Sequence, residues 1–245
     1  MSDVLERFRG ALIVSCQVNR DEPVYHIRYR NRYLFRLHFV LAMAKSAELG
    51  GARGLRVENP LYIRRVREFV DLPVIGLVKR RYPGSDVYIT PTLRDAVRVA
   101  EAGADVVAVD ATHRPRPRGG SLETIVRELK RRYDVLLLAD VSTLEEGVMA
   151  ERMGFDMVAT TLAGYTPYSR RTPGPDFELI RELSSTLKVP VLAEGRIRSP
   201  RDAAMALEAG AYAVVVGSAI TRPYLTVRWY VEEINRVKKG GGVSP

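Results

Sequence analysis

Polar side chains recur along the chain where apolar runs end, a position that suits acid–base chemistry. These residues are Gln17, Arg56, Lys79, Asp110, Asp140, Thr161, Glu194 and Ser218. If the runs are parallel strands of one barrel, their carboxyl ends meet at a single mouth and bring these side chains together. The set contains an amine and several carboxylates, which can remove and return protons, and a guanidinium, which can stabilise negative charge.

Lys79 is the sharpest candidate for a catalytic base. Alternation along a strand predicts that it points the same way as Ile75 and Leu77, as the polar end of an apolar row. In a barrel mouth, burial and neighbouring arginine charges would both lower the pKa of its ammonium. A neutral amine could act as a base or as a Schiff-base nucleophile. The plain alternative is a solvated lysine at a strand end.

Carboxylates at other strand ends could supply further steps. Glu194 could act as a general acid or base, or could pair with an arginine. Asp140 could hydrogen-bond sugar hydroxyls, orient Lys79, or cap the helix that follows it. Asp110 could equally stabilise Thr112 and the basic loop beyond it, and we assign it no role.

The segment 189–223 predicts a strand, a helix and a second strand, and each strand ends in a turn. Gly195 follows the first strand, Gly217 and Ser218 follow the second, and Arg222 comes shortly after. Backbone N–H groups in such turns can bind an anion, and the loops after strands seven and eight are the usual phosphate site of a TIM barrel. We therefore expect Gly195, Gly217 and Ser218 to bind phosphate, against the alternative of ordinary turn chemistry. Arg222 could pair with the phosphate, or could be an ordinary arginine at a helix N-terminus, although a cation is unfavourable there.

The elements that must position these residues form a repeating pattern. Strands are predicted at 12–17, 54–58, 73–79, 105–111, 135–141 and 157–161, with two more inside 189–223, and they alternate with eight predicted helices. The run EAGADVVAVD at 101–110 matches EAGAYAVVVG at 208–217, and weaker copies lie at 48–57 and 152–161. Because about two strand–helix units separate the copies, the pattern favours a single (β/α)8 TIM barrel over an open sheet.

The predicted domain organisation is one catalytic barrel over residues 1–238, followed by a flexible C-terminal tail at 239–245. A length of 245 residues suits such a barrel. The start of the chain lacks the apolar segment of a signal peptide, and no apolar run approaches the ~18 residues of a membrane span. A single cysteine, Cys16, excludes an intrachain disulfide and is expected to be a small core residue. Together these features predict a cytoplasmic protein with no membrane partner.

The charge balance is basic, with 38 Lys and Arg against 29 Asp and Glu and a net charge of +9. Such a balance suits anionic substrates, nucleic acid, or simply a basic surface. No RNA-binding signature or zinc spacing accompanies it, so nucleic acid is not the expected partner. The three histidines lie far apart at His26, His38 and His113, and no metal or other cofactor is expected.

The chain resembles the N-acetylmannosamine-6-phosphate 2-epimerases, which are bacterial enzymes of sialic-acid catabolism. The resemblance rests on motifs that together span nearly the whole sequence. They are SCQ at 15–17, PVIGLVKRRYP at 73–83, ITPTL at 89–93, GADVVAVDAT at 103–112, LADVSTLEEG at 138–147, GFDMVATTLAGYTPYS at 154–169, DFELIREL at 176–183, VPVLAEGRI at 189–197 and GAYAVVVGSAITRP at 210–223.

The resemblance implies a TIM barrel that interconverts N-acetylmannosamine 6-phosphate and N-acetylglucosamine 6-phosphate without a cofactor. It implies that Lys79 is the catalytic base and that Glu194 assists it. It also suggests that the sugar is contacted by Gln17, Arg56, Asp140 and Arg222. The expected partner is thus a phosphorylated N-acetylhexosamine, and a homodimer is a further expectation.

The chemistry required by such a reaction agrees with these residue types. Inverting C2 of a 2-acetamido sugar needs removal of the proton next to the C1 carbonyl of the open chain, and then proton return to the opposite face.

Two segments, 19–36 and the loop after the sixth strand, are longer than usual for the family and could reshape the mouth or bind a neighbouring subunit.

Two other functions fit the residues. Lys79 could serve another phosphosugar isomerase or a Schiff-base aldolase, and the basic charge could belong to a barrel that binds nucleic acid without catalysis.

Overall fold

Eight parallel strands close into a barrel in sequence order in the computed structural model, which describes residues 2–19, 21–27 and 31–240. Closure is made by β8 pairing with β1, where Val215 lies opposite Ile13. The predicted (β/α)8 barrel is therefore confirmed. The strands are β1 (Leu12–Cys16), β2 (Gly54–Glu58), β3 (Val74–Leu77), β4 (Val106–Asp110), β5 (Leu136–Asp140), β6 (Met157–Ala159), β7 (Val191–Glu194) and β8 (Ala213–Val216).

Helices cover the outside of the barrel and connect its strands. They are α1 (Ser2–Phe8), α2 (Pro23–His26), α3 (Arg32–Leu49), α4 (Pro60–Arg67), α5 (Leu93–Glu101), α6 (Leu122–Arg132), α7 (Leu144–Met153), α8 (Phe177–Thr186), α9 (Pro200–Glu208), α10 (Ser218–Thr221) and α11 (Pro223–Gly240). None of the described helices is long and apolar enough to cross a membrane.

Three short helices were not expected from the sequence. They are α1, α2, which lies in a segment predicted to be irregular, and α10. The last helix runs to Gly240 and so includes the first two residues of the predicted tail, and residues 241–245 lie outside the described part of the chain.

Side-chain caps set where several helices begin. The side chains of Thr92, Thr143 and Ser199 each accept the backbone N–H of the residue three positions later. A cap of this kind stabilises a helix by about 1 kcal/mol, because it satisfies an N–H that has no partner inside the helix. Each cap also fixes the end of a loop that leaves the mouth, so the loops over the site are anchored at both ends.

The barrel interior is a packed apolar core. Inward-facing side chains of several strands, among them Ile75, Leu77, Leu138 and Leu192, form one buried cluster. Phe8 of α1 belongs to the same cluster. The interior is thus filled below the mouth, and the polar residues at the strand ends are its upper boundary, as the alternation of side chains predicted.

Cys16 lies on the other side of the strand wall, as expected from its position next to Gln17. Its side chain is fully buried among the apolar residues between the strands and the outer helices. Burial raises the pKa of its thiol to about 12, so the nucleophilic thiolate is scarcely populated at neutral pH. The prediction of a small core residue is confirmed.

The last helix lies against the mouth of the barrel at Leu225 and Trp229 and projects from the barrel beyond them. Every residue of α11 from Tyr230 to Lys238 is exposed, and apolar side chains at Val227, Val231 and Ile234 share one face of the helix. Beside β1 and β8, where an eighth outer helix would normally pack, the structure instead has two adjoining apolar grooves. Their lining includes Leu12, Val14, Phe39, Met43, Ala203, Leu207, Val214, Val216 and Ile220.

Candidate active site

A cavity of about 380 Å³ lies at the carboxyl ends of the strands. It brings together eight of the nine residues predicted for the site, from five different strands or the segments that follow them. These are Gln17, Arg56, Lys79, Glu194, Gly195, Gly217, Ser218 and Arg222. The ninth, Asp140, has no exposed surface and lies behind Arg56.

Arg56 of β2 is the centre of the polar cluster. Its two terminal nitrogens donate to the two carboxylate oxygens of Asp140 at 2.9 and 2.7 Å. Its Nη1 also donates to Glu194 Oε2 at 2.6 Å. Only 1% of the Arg56 side chain is exposed, so these are buried ion pairs in which both the charges and the geometry matter.

One guanidinium therefore serves two carboxylates. Burial alone would lower the pKa of Arg56, but the charges of Asp140 and Glu194 outweigh it and raise that pKa, so Arg56 stays charged. Burial raises the pKa of Glu194, and the charge of Asp140 adds to this, while Arg56 only partly offsets it. Glu194 therefore holds a proton more readily than a free glutamate and can act as an acid as well as a base.

Thr161, which follows β6, completes this cluster. Its hydroxyl lies 2.6 Å from Asp140 Oδ1 and 3.2 Å from Glu194 Oε2, so it can donate to either carboxylate. The sequence placed Thr161 at a strand end but assigned it no role. Its signal was the same as that of the carboxylates, namely a polar residue at the end of an apolar strand.

Lys79 lies two residues past β3, where the following loop folds back on the strand. Lys79 pairs with Ile89 in an antiparallel bridge, and the N–H of Arg80 donates to the carbonyl of Tyr88 at 2.9 Å. The backbone carrying Lys79 is thus braced on one side by its own loop. The side chain is exposed to the cavity, and the surrounding walls enclose it.

The surroundings of Lys79 lower the pKa of its ammonium. Burial in the mouth lowers the pKa of its ammonium, and the charges of Arg56 and Arg222 lower it further, while Glu58 and Glu194 act in the opposite direction. The net effect is a pKa below that of a free lysine. A larger share of neutral amine at a given pH is what a lysine base requires.

Two buried polar atoms in the mouth lack hydrogen-bond partners among the described residues. The Nε2 of Gln17 donates to Ser15 Oγ at 2.9 Å, but Gln17 Oε1 has no partner. Arg56 Nε is the second such atom. Because buried polar groups are normally satisfied, an acceptor and a donor left open at a cavity are suited to a ligand with hydroxyl groups.

The opposite side of the mouth presents backbone N–H groups. Those of Gly195, Gly217 and Ser218 have no hydrogen-bond partner in the described part of the chain. Gly195 has φ 119, a conformation that strains any residue with a Cβ and that turns the chain sharply after Glu194. These groups line the cavity across from Lys79 and can donate to an anion.

Arg222 also lines this side, but two acidic residues already contact it. Its Nε donates to Glu22 Oε1 and its Nη2 to Asp21 Oδ2, each at 2.5 Å. The bonds occupy one edge of the guanidinium, and Nη1 has no described partner. The sequence did not predict this contact, which ties the loop after β1 to the loop after β8.

Asp110 at the end of β4 is fully engaged in structure. It accepts from the N–H and hydroxyl of Thr112 at 3.1 and 2.7 Å, and it pairs with Arg114 at 2.7 Å. These contacts hold Thr112 and the basic loop that follows it, which is the structural role that the sequence suggested for Asp110. Asp110 is not among the residues that line the mouth.

Several cavity residues were missed from the sequence because they lie on loops. They include Asn19, Tyr88, Arg196 and Arg198. Trp229, which also lines the cavity, was missed as well and lies on α11. Among the described residues, no group of three or more His, Cys, Asp or Glu side chains is arranged to hold a metal ion.

A family model and individual relatives of this chain point to the same protein family. The family model described as "Putative N-acetylmannosamine-6-phosphate epimerase" matches residues 40–236. A relative from Caldanaerobacter subterraneus, described as a putative N-acetylmannosamine-6-phosphate 2-epimerase, is 46% identical over 231 residues, covering 94% of this chain and 93% of its own. A relative from Clostridium perfringens with the same description is 43% identical and covers 90% and 95%.

Solved structures agree. The N-acetylmannosamine-6-phosphate 2-epimerase from Clostridium perfringens superimposes with a TM-score of 0.87 at 41% identity, over 94% of this chain and 95% of that one. The thiamine phosphate pyrophosphorylase from Pyrococcus furiosus, at 22% identity and a TM-score of 0.56, shares the fold.

Proposed function

The chain belongs to the N-acetylmannosamine-6-phosphate epimerase family, and from this premise we propose what its mouth does. It inverts C2 of N-acetylmannosamine 6-phosphate to give N-acetylglucosamine 6-phosphate. The observation that supports this reaction best is the opposition of two groups across one cavity. Lys79, an amine with a lowered pKa, faces the unpaired N–H groups of Gly195, Gly217 and Ser218.

Lys79 and the backbone N–H groups suit the two ends of the sugar, which are the reacting carbons C1 and C2 and the phosphate on C6. A phosphate ester on C6 binds the N–H groups at the β7 and β8 ends, so the other end of the sugar reaches toward β3. Glu194, whose carboxyl holds a proton more readily than usual, assists ring opening by moving a proton between the ring oxygen and the C1 oxygen. The open chain then has an aldehyde at C1, and the hydrogen on C2 becomes acidic.

Inversion follows from proton removal and return at C2. Neutral Lys79 takes the C2 proton, and the electron pair moves onto the C1 oxygen as an enolate. The buried charge of Arg56 stabilises that oxygen. A proton that originates from solvent then returns to C2 from the opposite face, the Lys79 ammonium releases its proton to solvent, and the ring closes. Asp140 and Thr161 act indirectly, because they hold Arg56 and Glu194 in place.

Arg222 contributes to the phosphate end in an orientation set by its acidic partners. Because Glu22 and Asp21 occupy its Nε and one Nη2 hydrogen, Nη1 is the nitrogen left for a phosphate oxygen. Held in this way, the guanidinium loses less side-chain entropy when the ligand arrives.

The activity can be tested directly. Purified protein in EDTA should convert N-acetylmannosamine 6-phosphate to an equilibrium mixture with N-acetylglucosamine 6-phosphate, followed by proton NMR. Unphosphorylated N-acetylmannosamine should have a kcat/KM lower by roughly 100-fold or more, because it makes none of the charged hydrogen bonds at the β7 and β8 ends. Folded protein that binds the sugar phosphate but leaves C2 unchanged would rule out the proposed reaction.

We also propose that the protein is a homodimer in which α11 of each subunit lies in the groove of its partner. The grooves beside β1 and β8 are apolar, and the apolar face of α11 is exposed. Packing the helix of one subunit into the grooves of the other would bury both apolar surfaces. An unpaired apolar helix face of this size is unusual for a monomer. Exchange of an identical element between subunits is a common route to a symmetric dimer.

Charge on this face should separate the subunits. We expect wild-type protein to sediment as a dimer and the double variant Val231→Asp, Ile234→Asp to sediment mainly as a monomer, because a buried unpaired carboxylate costs several kcal/mol. Arg236→Asp, an exposed position on the opposite face of the same helix, changes the charge by the same amount, is the matched control and should remain dimeric. A monomeric wild type, or a double variant that stays dimeric, would contradict the exchange.

A further inference from the structure

A second and larger cavity adjoins the mouth on the side of β1, β2 and β3. Its volume is about 670 Å³, and it shares Asn19, Lys79 and Tyr88 with the mouth. The rest of its lining comes from the segment after β1, which includes α2 and part of α3, from the end of β2 and α4 after it, and from the loop after β3. These residues are Val18, Tyr25, Arg36, Glu58, Asn59, Tyr62, Arg80 and Arg81. We call this space the second cavity.

The second cavity is strongly cationic. Arginines contribute three of its lining residues, and Glu58 is the one acidic residue among the described lining. Arg80 is neutralised by Asp95, whose carboxylate lies 2.9 Å away. Arg36 and Arg81 have no carboxylate partner among the described residues. Two guanidinium groups thus remain available to an anion in this cavity.

Aromatic rings hold both guanidinium groups in place. The Arg36 guanidinium carbon lies 3.6 Å from the centre of the Tyr25 ring, and one nitrogen donates to the Tyr25 carbonyl at 2.9 Å. The Arg81 guanidinium lies 5.2 Å from the centre of the Tyr88 ring. Stacking of this kind leaves the edge of a guanidinium free for the two-pronged hydrogen bond that a carboxylate accepts.

The proposed reaction determines which part of the substrate faces the second cavity. With phosphate at the β7 and β8 ends and C2 beside Lys79, the acylamido group on C2 lies at the junction of the two cavities, because Lys79 lines both. Beyond this junction the wall of the second cavity includes Tyr25 and Arg36, so these two residues lie on the acyl side of the substrate.

We infer that the second cavity is a subsite for the acyl group, and that it favours acyl groups ending in a carboxylate, such as succinyl. The inference rests on the proposed epimerase function and extends its substrate class. The acetyl group fills only the entrance, whereas a longer chain places its carboxylate between Arg36 and Arg81. The same C2 chemistry then operates on an N-acylated mannosamine 6-phosphate whose second charge is neutralised beyond Lys79.

Three substrates distinguish a subsite that recognises a carboxylate from a cavity that merely accepts a larger acyl group. They are N-acetylmannosamine 6-phosphate, its N-succinyl analogue, and the neutral analogue in which the succinyl carboxylate is an amide. We expect wild-type protein to prefer the carboxylate over the amide by about 10-fold to 100-fold in kcat/KM, the range of a charge-assisted pair. The preference should shrink as salt is added.

Variants assign the preference to the two arginines. Arg36→Gln with Arg81→Gln should abolish it while leaving kcat/KM for the acetyl substrate within about twofold, which also reports that the variant is folded. Each single variant should lose part of the preference. The matched control is Arg132→Gln, an exposed arginine at the end of α6 on the opposite side of the barrel, which should change nothing.

The outcomes separate this inference from the proposed function. Turnover of the acetyl substrate with refusal of the succinyl one, or equal use of carboxylate and amide, would overturn the second cavity as an anionic subsite and leave the epimerase proposal intact. A carboxylate preference that survives in the double variant would overturn the assignment to Arg36 and Arg81. Failure with all three substrates would overturn the epimerase proposal itself.

Discussion

Replacing Lys79 with methionine is expected to slow exchange of the C2 proton with solvent deuterium by roughly 10²-fold to 10⁴-fold. Methionine keeps most of the volume of the side chain but removes the basic nitrogen, so no group remains at that position to take the proton. The phosphate end lies across the cavity from Lys79 and should be unaffected. Binding of the sugar phosphate, measured by calorimetry, should therefore persist while exchange, followed by NMR, is lost.

The pH dependence of the wild-type protein supplies an independent check. Neutral amine is the active form, and the pKa of Lys79 is lowered from 10.5, mainly by burial. The exchange rate should consequently rise with pH and reach its plateau below the pH at which a free lysine would be half neutral. Lys188→Met, at an exposed position after α8, is the matched control and should keep the wild-type profile. Full exchange in Lys79→Met would show that another group is the base.

Replacing Arg56 with methionine is expected to lower the free energy of unfolding by about 3–5 kcal/mol, the usual cost of removing one partner from a buried ion pair. The substitution leaves Asp140 and Glu194 buried close together without a cation. Urea denaturation of the two proteins would measure the loss. Arg67→Met is the control, because its pair with Asp105 is 38% exposed on the arginine side and should be worth less than about 1 kcal/mol.

The sign of the pH effect distinguishes lost charge pairing from a simple packing defect. Without Arg56, the pKa of Glu194 in the folded protein should rise further above its unfolded value. The folded variant then binds a proton that the unfolded chain does not, so its stability should improve as the pH falls toward the range in which Glu194 is protonated. The deficit relative to wild type should therefore narrow at acidic pH. A deficit independent of pH would indicate a cavity left by the side chain instead.

Much of the fold was predictable because it is encoded locally. Apolar runs of four to seven residues followed by capped amphipathic helices predict parallel strands, and alternation along each strand predicts which residues face inward. For this reason the sequence alone places Lys79 and Glu194 at the mouth. The predicted and observed ends of the strands differ mainly where the prediction took a polar residue, such as Gln17 or Lys79, as the last residue of a strand.

Other features depend on contacts that no local pattern records. Asp140 shares the alternation of Leu138, yet it lies beneath Arg56 with no exposed surface, since the depth of a side chain depends on what stands above it. The pairing of Arg222 with Glu22 joins residues at opposite ends of the chain. The second cavity likewise requires knowing how the long segment after β1 folds over its neighbours.

The polar cluster around Arg56 also bears on how the chain folds as it is synthesised. Arg56 emerges early, whereas its partners Asp140, Thr161 and Glu194 follow 84, 105 and 138 residues later. A nascent chain that ends before β7 therefore has no complete set of partners for this guanidinium, and enclosing it early would leave a buried charge only partly paired. The same side chain that organises the mouth thus disfavours premature closure of an incomplete barrel, since the three later strands must be present before its burial becomes favourable.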